Sequence, residues 1–217
     1  MGKSYRKDIN MISKKLITLI LNENQKIKIL VANEKKIVLW SGEGHIIFEE
    51  NGKKLSLFSS SFIGPAIEDL LMNLVYAAKG ESMLHKSIDQ DIGYLYNQFW
   101  QKRGEFVTIE GSWIGLMHSA FATKNTKTWI YNERDKIVIE VTPTYQWHFF
   151  EPEDRKEFPE EYSDFVEYDE FIKDYKPILK TYINKSTAKK WIRILKKAQK
   201  KIVTKGQYFT ISETPKE

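Results

Sequence analysis

The stretch "HIIFEENGKKLSLF", residues 45–58, constrains the fold more than any other part of the chain. Asn51-Gly52 is the preferred pair for a two-residue type I′ hairpin turn, because both central residues of that turn need a positive φ. A two-residue loop predicts the register. Glu50 faces Lys53, Glu49 faces Lys54, Phe48 faces Leu55 and Ile46 faces Leu57. Side chains alternate along a strand, so Ile46, Phe48, Leu55 and Leu57 share one face, which needs a cover. The two charge pairs close the hairpin. The next segment supplies the cover. "GPAIEDLLMNLVYAAKG" predicts a helix over 65–79, with Pro65 at its first position, Glu68 and Asp69 toward its amino end, Lys79 in its last turn and Gly80 as its cap. Ile67, Leu70, Leu71, Leu74 and Ala78 recur at helical spacing on one face.

Further strands are expected on both sides. "KIKILVA" and "KIVLWS" precede the hairpin, and "GEFVTIEG", "SWIGLMHSAF", "KTWIYNE" and "DKIVIEVTPTYQW" follow the helix. "NERD" reads as a tight turn between the last two, so this run is an antiparallel meander. Residues 81–103 fit a strand or a short helix. After Pro152 and Pro159 the periodicity becomes helical. Phe165, Tyr168, Ile172 and Tyr175 are spaced by three and four, Pro177 interrupts, and Leu179, Tyr182 and Ile183 continue the apolar face. Ser186 or Thr187 is placed to cap a last helix, "AKKWIRILKKAQKKIV", with Ala188, Trp191, Leu195, Ala198 and Ile202 as its apolar stripe. The expected class is therefore α+β: antiparallel sheet packed against a helix at about 65–79, with a helical carboxy-terminal third. The 217 residues suit a single domain, in which 1–148 form a sheet-rich part with one central helix. Residues 149–217 then hold an acidic segment and a basic helix.

The chain has no cysteine, which excludes disulfides, thiolate metal sites and cysteine nucleophiles. Asp8 and Lys14-Lys15 interrupt the apolar run near the start, and no small-residue cleavage site follows, so that run is not read as a signal peptide. No stretch reaches the ~20 apolar residues of a membrane-spanning helix. A cytoplasmic location is expected. His45, His85, His118 and His148 include no pair at metal-binding helical spacing, and no GxSxG, GxxxxGK[ST] or GxGxxG run occurs. Neither a metal nor a cofactor is expected. Asp89 and Asp91, with Glu105 and Glu110, are the acids from which a hydrolase site would be built, and otherwise they form polar loops. Most of the six tryptophans read as core.

Charge is distributed unevenly. The chain carries +5 overall, yet residues 149–175 hold eleven acidic against three basic side chains, mixed with eight aromatics. Residues 176–205 hold eleven Lys or Arg and no acid. Three readings of the acidic segment compete. The acids begin a helix, with Asp164 as N-cap and Glu167 three residues on. Alternatively they neutralise the lysines of an antiparallel neighbouring helix, at ~0–1 kcal/mol per exposed pair. In the third, acids and aromatics together form a docking surface for a basic partner. Glu151, Glu153, Asp154, Glu157, Phe158, Glu160, Glu161 and Asp164 are the residues assigned to that surface. Lys189, Lys190, Arg193, Lys196, Lys197 and Lys200 are the alternative, a site for an anionic ligand such as nucleic acid.

Three stretches, "HIIFEENGKKLSLFSSSFIGPAIEDLLMNLVYAAKG", "KTWIYNERDKIVIEVTPTYQWHF" and "FIKDYKPILKTYINKSTAKKWIRILKKA", together resemble in layout the immunity proteins of bacterial toxin–immunity systems. The resemblance covers under half of the chain. It implies a cytoplasmic α+β protein that binds a cognate toxin domain and blocks it, with no shared catalytic residues. On that reading the acidic-aromatic segment occludes the basic active site of a toxin. The alternatives are a nucleic-acid-binding module using the last helix and a hydrolase with a carboxylate site.

Overall fold

The computed structural model describes residues 14–31, 42–60, 62–82, 91–101, 119–123, 125–148, 152–157, 159–160 and 162–203. The fold is α+β, as the patterning implies. Eight strands form two four-stranded antiparallel sheets, β1-β2-β3-β4 and β5-β6-β7-β8. The chain divides into two compact units. One comprises residues 1–71 with 191–217, the other residues 72–190.

The first unit contains β1 (Lys14–Ile20), β2 (Gln25–Val31), β3 (Gly44–Glu50) and β4 (Lys53–Ser60). Asn51 and Gly52 have φ of 49° and 81°, the left-handed pair that a type I′ turn demands. Glu50 pairs with Lys53, Glu49 with Lys54 and Phe48 with Leu55, as expected. The register then slips. Ile47 pairs with Ser56 and Ile46 with Phe58, so Leu57 has no partner and forms a β-bulge. The slip leaves Leu57 fully buried, which favours it over the regular ladder. One face of the sheet carries Ile17, Leu19, Ile27, Ile29, Ile46 and Phe48, all buried. β1, which hydropathy alone does not separate from its polar flanks, pairs with β2 from Lys14 to Ile20, with a register shift at Leu16. The expected strand "KIVLWS" lies outside the described residues.

Helix α1 (Ile63–Lys79) begins against this sheet. The amide of Ile63 donates to the Gly42 carbonyl, and a Cβ placed on Gly44 would come within 2.7 Å of Ile63. Only a glycine lets β3 and the helix start approach so closely. Ile63, Ala66, Ile67, Leu70 and Leu71 bury the first half of the helix. It ends as the sequence implies. Gly80 has φ 84°, its amide reaches Ala77, and the Glu81 amide reaches Tyr76, the paired bonds of a Schellman motif. Helix α5 (Lys185–Val203) contributes Trp191, Leu195 and Ala198 to this unit's core. The Trp191 indole donates to the Ile20 carbonyl at 3.1 Å.

The second unit contains β5 (Ser119–Ala122), β6 (Thr126–Glu133), β7 (Lys136–Pro143) and β8 (Leu179–Ile183). The expected turn at "NERD" joins β6 to β7, with Arg134 at φ 57°. Every residue from Thr128 to Asn132 and from Ile137 to Thr142 is buried, so both faces of these central strands are covered. The ambiguous segment is helix α2 (Ile92–Gln101), whose Ile92, Tyr96 and Trp100 pack on Trp129, Tyr131 and Val138. Gly93 sits where a Cβ would collide with Tyr175 and Thr142. Residues 179–183 are a strand and not a continuation of a helical face. Pro177 has removed the helical amide pairing, and burial there follows period two, with Thr181 and Ile183 in and Lys180 and Tyr182 out. Neither Ser186 nor Thr187 caps α5. Asn184 does, its Oδ1 accepting from the Thr187 amide at 2.8 Å and from the Ser186 hydroxyl at 2.7 Å.

Candidate functional site

The acidic-aromatic segment is built of two short helices, α3 (Pro152–Glu157) and α4 (Tyr168–Lys173), joined by turns. The spacing of Phe165, Tyr168, Ile172 and Tyr175 predicts a helix over 164–175. Pro152 takes the first position of α3, where its missing amide costs nothing. Asp164 lies in a turn four residues before α4, and Glu167 at the α4 N-cap makes no side-chain capping bond. The Asp164–Glu167 capping pattern is therefore not formed, although Asp169 and Glu170 do stand in the first turn of α4. The Asp164 carboxylate instead accepts from Gln146 Nε2 at 3.3 Å.

Within the segment, aromatics and acids separate. Tyr162, Phe165, Tyr168, Phe171 and Tyr175 are all partly buried and stack on residues before the segment. Trp147 lies 4.9 Å from Tyr162 and 5.9 Å from Phe165, while Tyr145 lies 5.3 Å from both Tyr168 and Phe171. Tyr175 meets Tyr94 edge-on at 5.7 Å. Such contacts contribute about 0.5–1.5 kcal/mol each beyond the area they bury. Glu153, Glu157, Glu160 and Asp164 are exposed, as are Glu167, Asp169, Glu170 and Asp174. The aromatics thus peg the segment to the unit, and the carboxylates form its outer surface. Asp154 lies in α3, whereas Glu151, Phe158 and Glu161 lie outside the described residues.

The peg has a rigid base. Asn97 of α2 donates from Nδ2 to the carbonyls of Gly93 and Pro143, at 2.8 and 3.0 Å, and its Oδ1 accepts from the Tyr145 amide at 2.7 Å. The Tyr145 hydroxyl in turn donates to the Val166 carbonyl at 2.8 Å. Burial raises the Tyr145 hydroxyl to about 12, so it remains a donor. A groove of about 200 Å³ opens between the turn at 143–147 and the segment, lined by Tyr145, Gln146, Trp147, Asp164, Val166 and Phe171 among others. Two buried polar atoms of lining residues, Thr144 Oγ1 and Gln146 Oε1, have no hydrogen-bond partner among the described residues. Of the predicted surface residues that are described, Asp164 alone lines this groove. "TPTYQWHF", an aromatic-rich run directly after a strand, is the signal that would have pointed to it.

His148 packs against Tyr145 and Tyr168 at 5.2 and 6.2 Å, and burial lowers its ring to about 4. Neither of its buried ring nitrogens has a hydrogen-bond partner among the described residues. His45 lies in β3, while His85 and His118 fall outside the described residues. Among the described residues no three His, Asp or Glu side chains converge on a metal position. Asp91 is exposed, and Asp89, Glu105 and Glu110 lie outside the described residues. No helix among the described residues is long and apolar enough to cross a membrane.

Among the described residues one carboxyl is fully buried. Glu140 of β7 accepts from the Tyr131 hydroxyl at 2.7 Å and lies 3.9 Å from Lys180 Nζ, while its Oε1 has no partner. Burial pushes this carboxyl above the ordinary carboxylate range, although Tyr131 and Lys180 pull the other way. Glu49 of β3 behaves oppositely. It bonds Lys26 and Lys28 of β2, at 2.8 and 2.6 Å, rather than the Lys54 expected from hairpin pairing, and they hold it down at about 2. Two cations from the neighbouring strand outweigh one on an exposed edge.

The basic helix presents Lys189, Lys190, Arg193, Lys196, Lys197 and Lys200, all exposed. Neither Lys189 nor Lys190 makes an ion pair with another described residue. Compared with protein-family models, with curated proteins and with solved structures, the chain matches none.

Proposed function

We propose that this protein acts by binding a basic protein partner through the outer face of residues 152–174, as an immunity protein binds its toxin, and not by catalysis. The observation that carries the reading is the separation of aromatic pegs from outward carboxylates. A charged face on a pre-ordered support associates quickly with an opposite charge and loses little entropy when it docks. A toxin active site that handles nucleic acid offers such a charge. The layout resemblance to immunity proteins points the same way.

The test is capture of the product of the neighbouring gene by the purified protein, followed by charge reversal. Glu157→Lys, Glu160→Lys, Glu161→Lys and Asp164→Lys together are expected to weaken binding at least about a hundredfold, mostly at low salt. Unchanged affinity sinks the assigned surface. The exposed basic face of α5 favours a second reading, a nucleic-acid-binding module. In a gel shift, that reading demands an affinity that falls steeply as salt rises.

A further inference from the structure

We infer that the groove between residues 143–147 and the pegged segment is a receptor for one guanidinium group, an arginine side chain presented by the partner. The inference rests on the protein-binding reading above and names the partner residue that reading would need.

Size limits the occupant first. At about 200 Å³ the groove is smaller than the ~300–1,000 Å³ of small-molecule and cofactor pockets. It suits a side chain. Its walls give the chemistry. Tyr145, Trp147 and Phe171 supply aromatic surface, which attracts a cation and stacks best with a planar one. Asp164 is the one charged side chain among the lining residues. It brings a carboxylate, exposed to solvent. Gln146 points its amide nitrogen at that carboxylate, the only orientation in which the two can bond, and this leaves Oε1 without a donor. Thr144 Oγ1 also lacks a partner.

Guanidinium has five donors in a fixed plane and no acceptor, which matches a carboxylate edge between aromatic walls. Charge excludes the opposite choice. An anionic ligand would meet the Asp164 carboxylate. The partner contact is thus directional at the groove and merely electrostatic over the outer face.

The test uses the full chain and needs no partner. N-acetyl-arginine amide is titrated while the Trp147 indole resonance is followed, assigned with Trp147→Phe. A saturable shift is expected. The citrulline analogue, neutral but of the same shape, is expected to bind at least about tenfold more weakly, and Asp164→Asn should weaken the arginine probe by about the same factor. No saturable shift overturns the proposal, as does equal binding of citrulline. Equal or tighter binding of N-acetyl-lysine amide overturns the guanidinium assignment. The triple variant Glu153→Lys/Glu157→Lys/Glu160→Lys separates the two ideas. It should leave the arginine probe unaffected while weakening capture of the basic partner. Loss of probe binding in that variant also counts against the groove. Capture that survives the triple variant counts against the outer face alone.

Discussion

Tyr131→Phe removes one oxygen and nothing else, and its consequence follows from what surrounds that oxygen. The ring lies in the α2-facing core with Trp129 and Val138, so its packing is unchanged. The lost interaction is the 2.7 Å bond to Glu140, a carboxyl with no solvent exposure. Oε1 already has no partner and Lys180 is no closer than 3.9 Å, so no neighbour takes over. A hydrogen bond to a charged or nearly charged buried group contributes about 1.5–3 kcal/mol. A loss of about 2 kcal/mol is therefore expected, a factor of about 30 in the folding equilibrium. In a chain of this length that corresponds to about 4–8 °C in Tm.

Urea unfolding at pH 7.5 and at pH 5, with wild type alongside, reads it directly. The pH arm carries a sign. The folded-state pKa of Glu140 is raised, so the folded protein holds this proton more tightly than the unfolded chain does. Its contribution is fully present below the unfolded value of about 4.5 and is lost as pH rises through the folded value. Glu140→Gln should abolish that part of the pH dependence, and Tyr131→Phe should extend it to higher pH. A loss below about 0.5 kcal/mol at both pH values would refute the reasoning, because it would mean that water reaches the carboxyl.

Two further outcomes test other parts of the structure. Glu49 has a depressed pKa, so its stabilising contribution is present above the unfolded value of 4.5 and lost as pH falls toward about 2. Glu49→Gln should flatten the acid limb of a stability–pH profile over that window, and an unchanged limb would show that Lys26 and Lys28 do not hold it. Gly93→Ala should destabilise by about 1–3 kcal/mol in chemical denaturation, because the added methyl meets both Tyr175 and Thr142. A neutral result would mean that the 175–177 connection yields freely.

Where local chemistry is decisive, the residues announced the fold. Asn51-Gly52 requires two positive φ values, and both are found. Gly80 after Lys79 announces a left-handed helix end, and the Schellman bonds are made. Trp191 heads an apolar stripe, and it is buried with its indole bonded to Ile20. Elsewhere the signal was ambiguous. Leu179, Tyr182 and Ile183 carry spacings that fit either period once Pro177 has intervened, and only pairing with β7 makes them a strand. "GYLYNQFW" has the aromatic content of a strand, yet it buries Tyr96 and Asn97 on one side as a helix.

By itself, then, the sequence determined the α+β class, the hairpin with its turn type, the helix at 65–79 and the uneven charge. These depend on backbone preference, hydrophobic period and composition, which neighbouring residues carry between them. The tertiary structure decided where the interactions go. It slipped the hairpin register at Leu57 to bury that side chain, gave Glu49 to Lys26 and Lys28 instead of Lys54, and moved Asp164 from a helix cap to the rim of a groove. It also turned the aromatics of the acidic segment inward onto Tyr145 and Trp147. Each of these outcomes is a competition between partners distant in sequence. The winner depends on burial and distance, which no local pattern encodes.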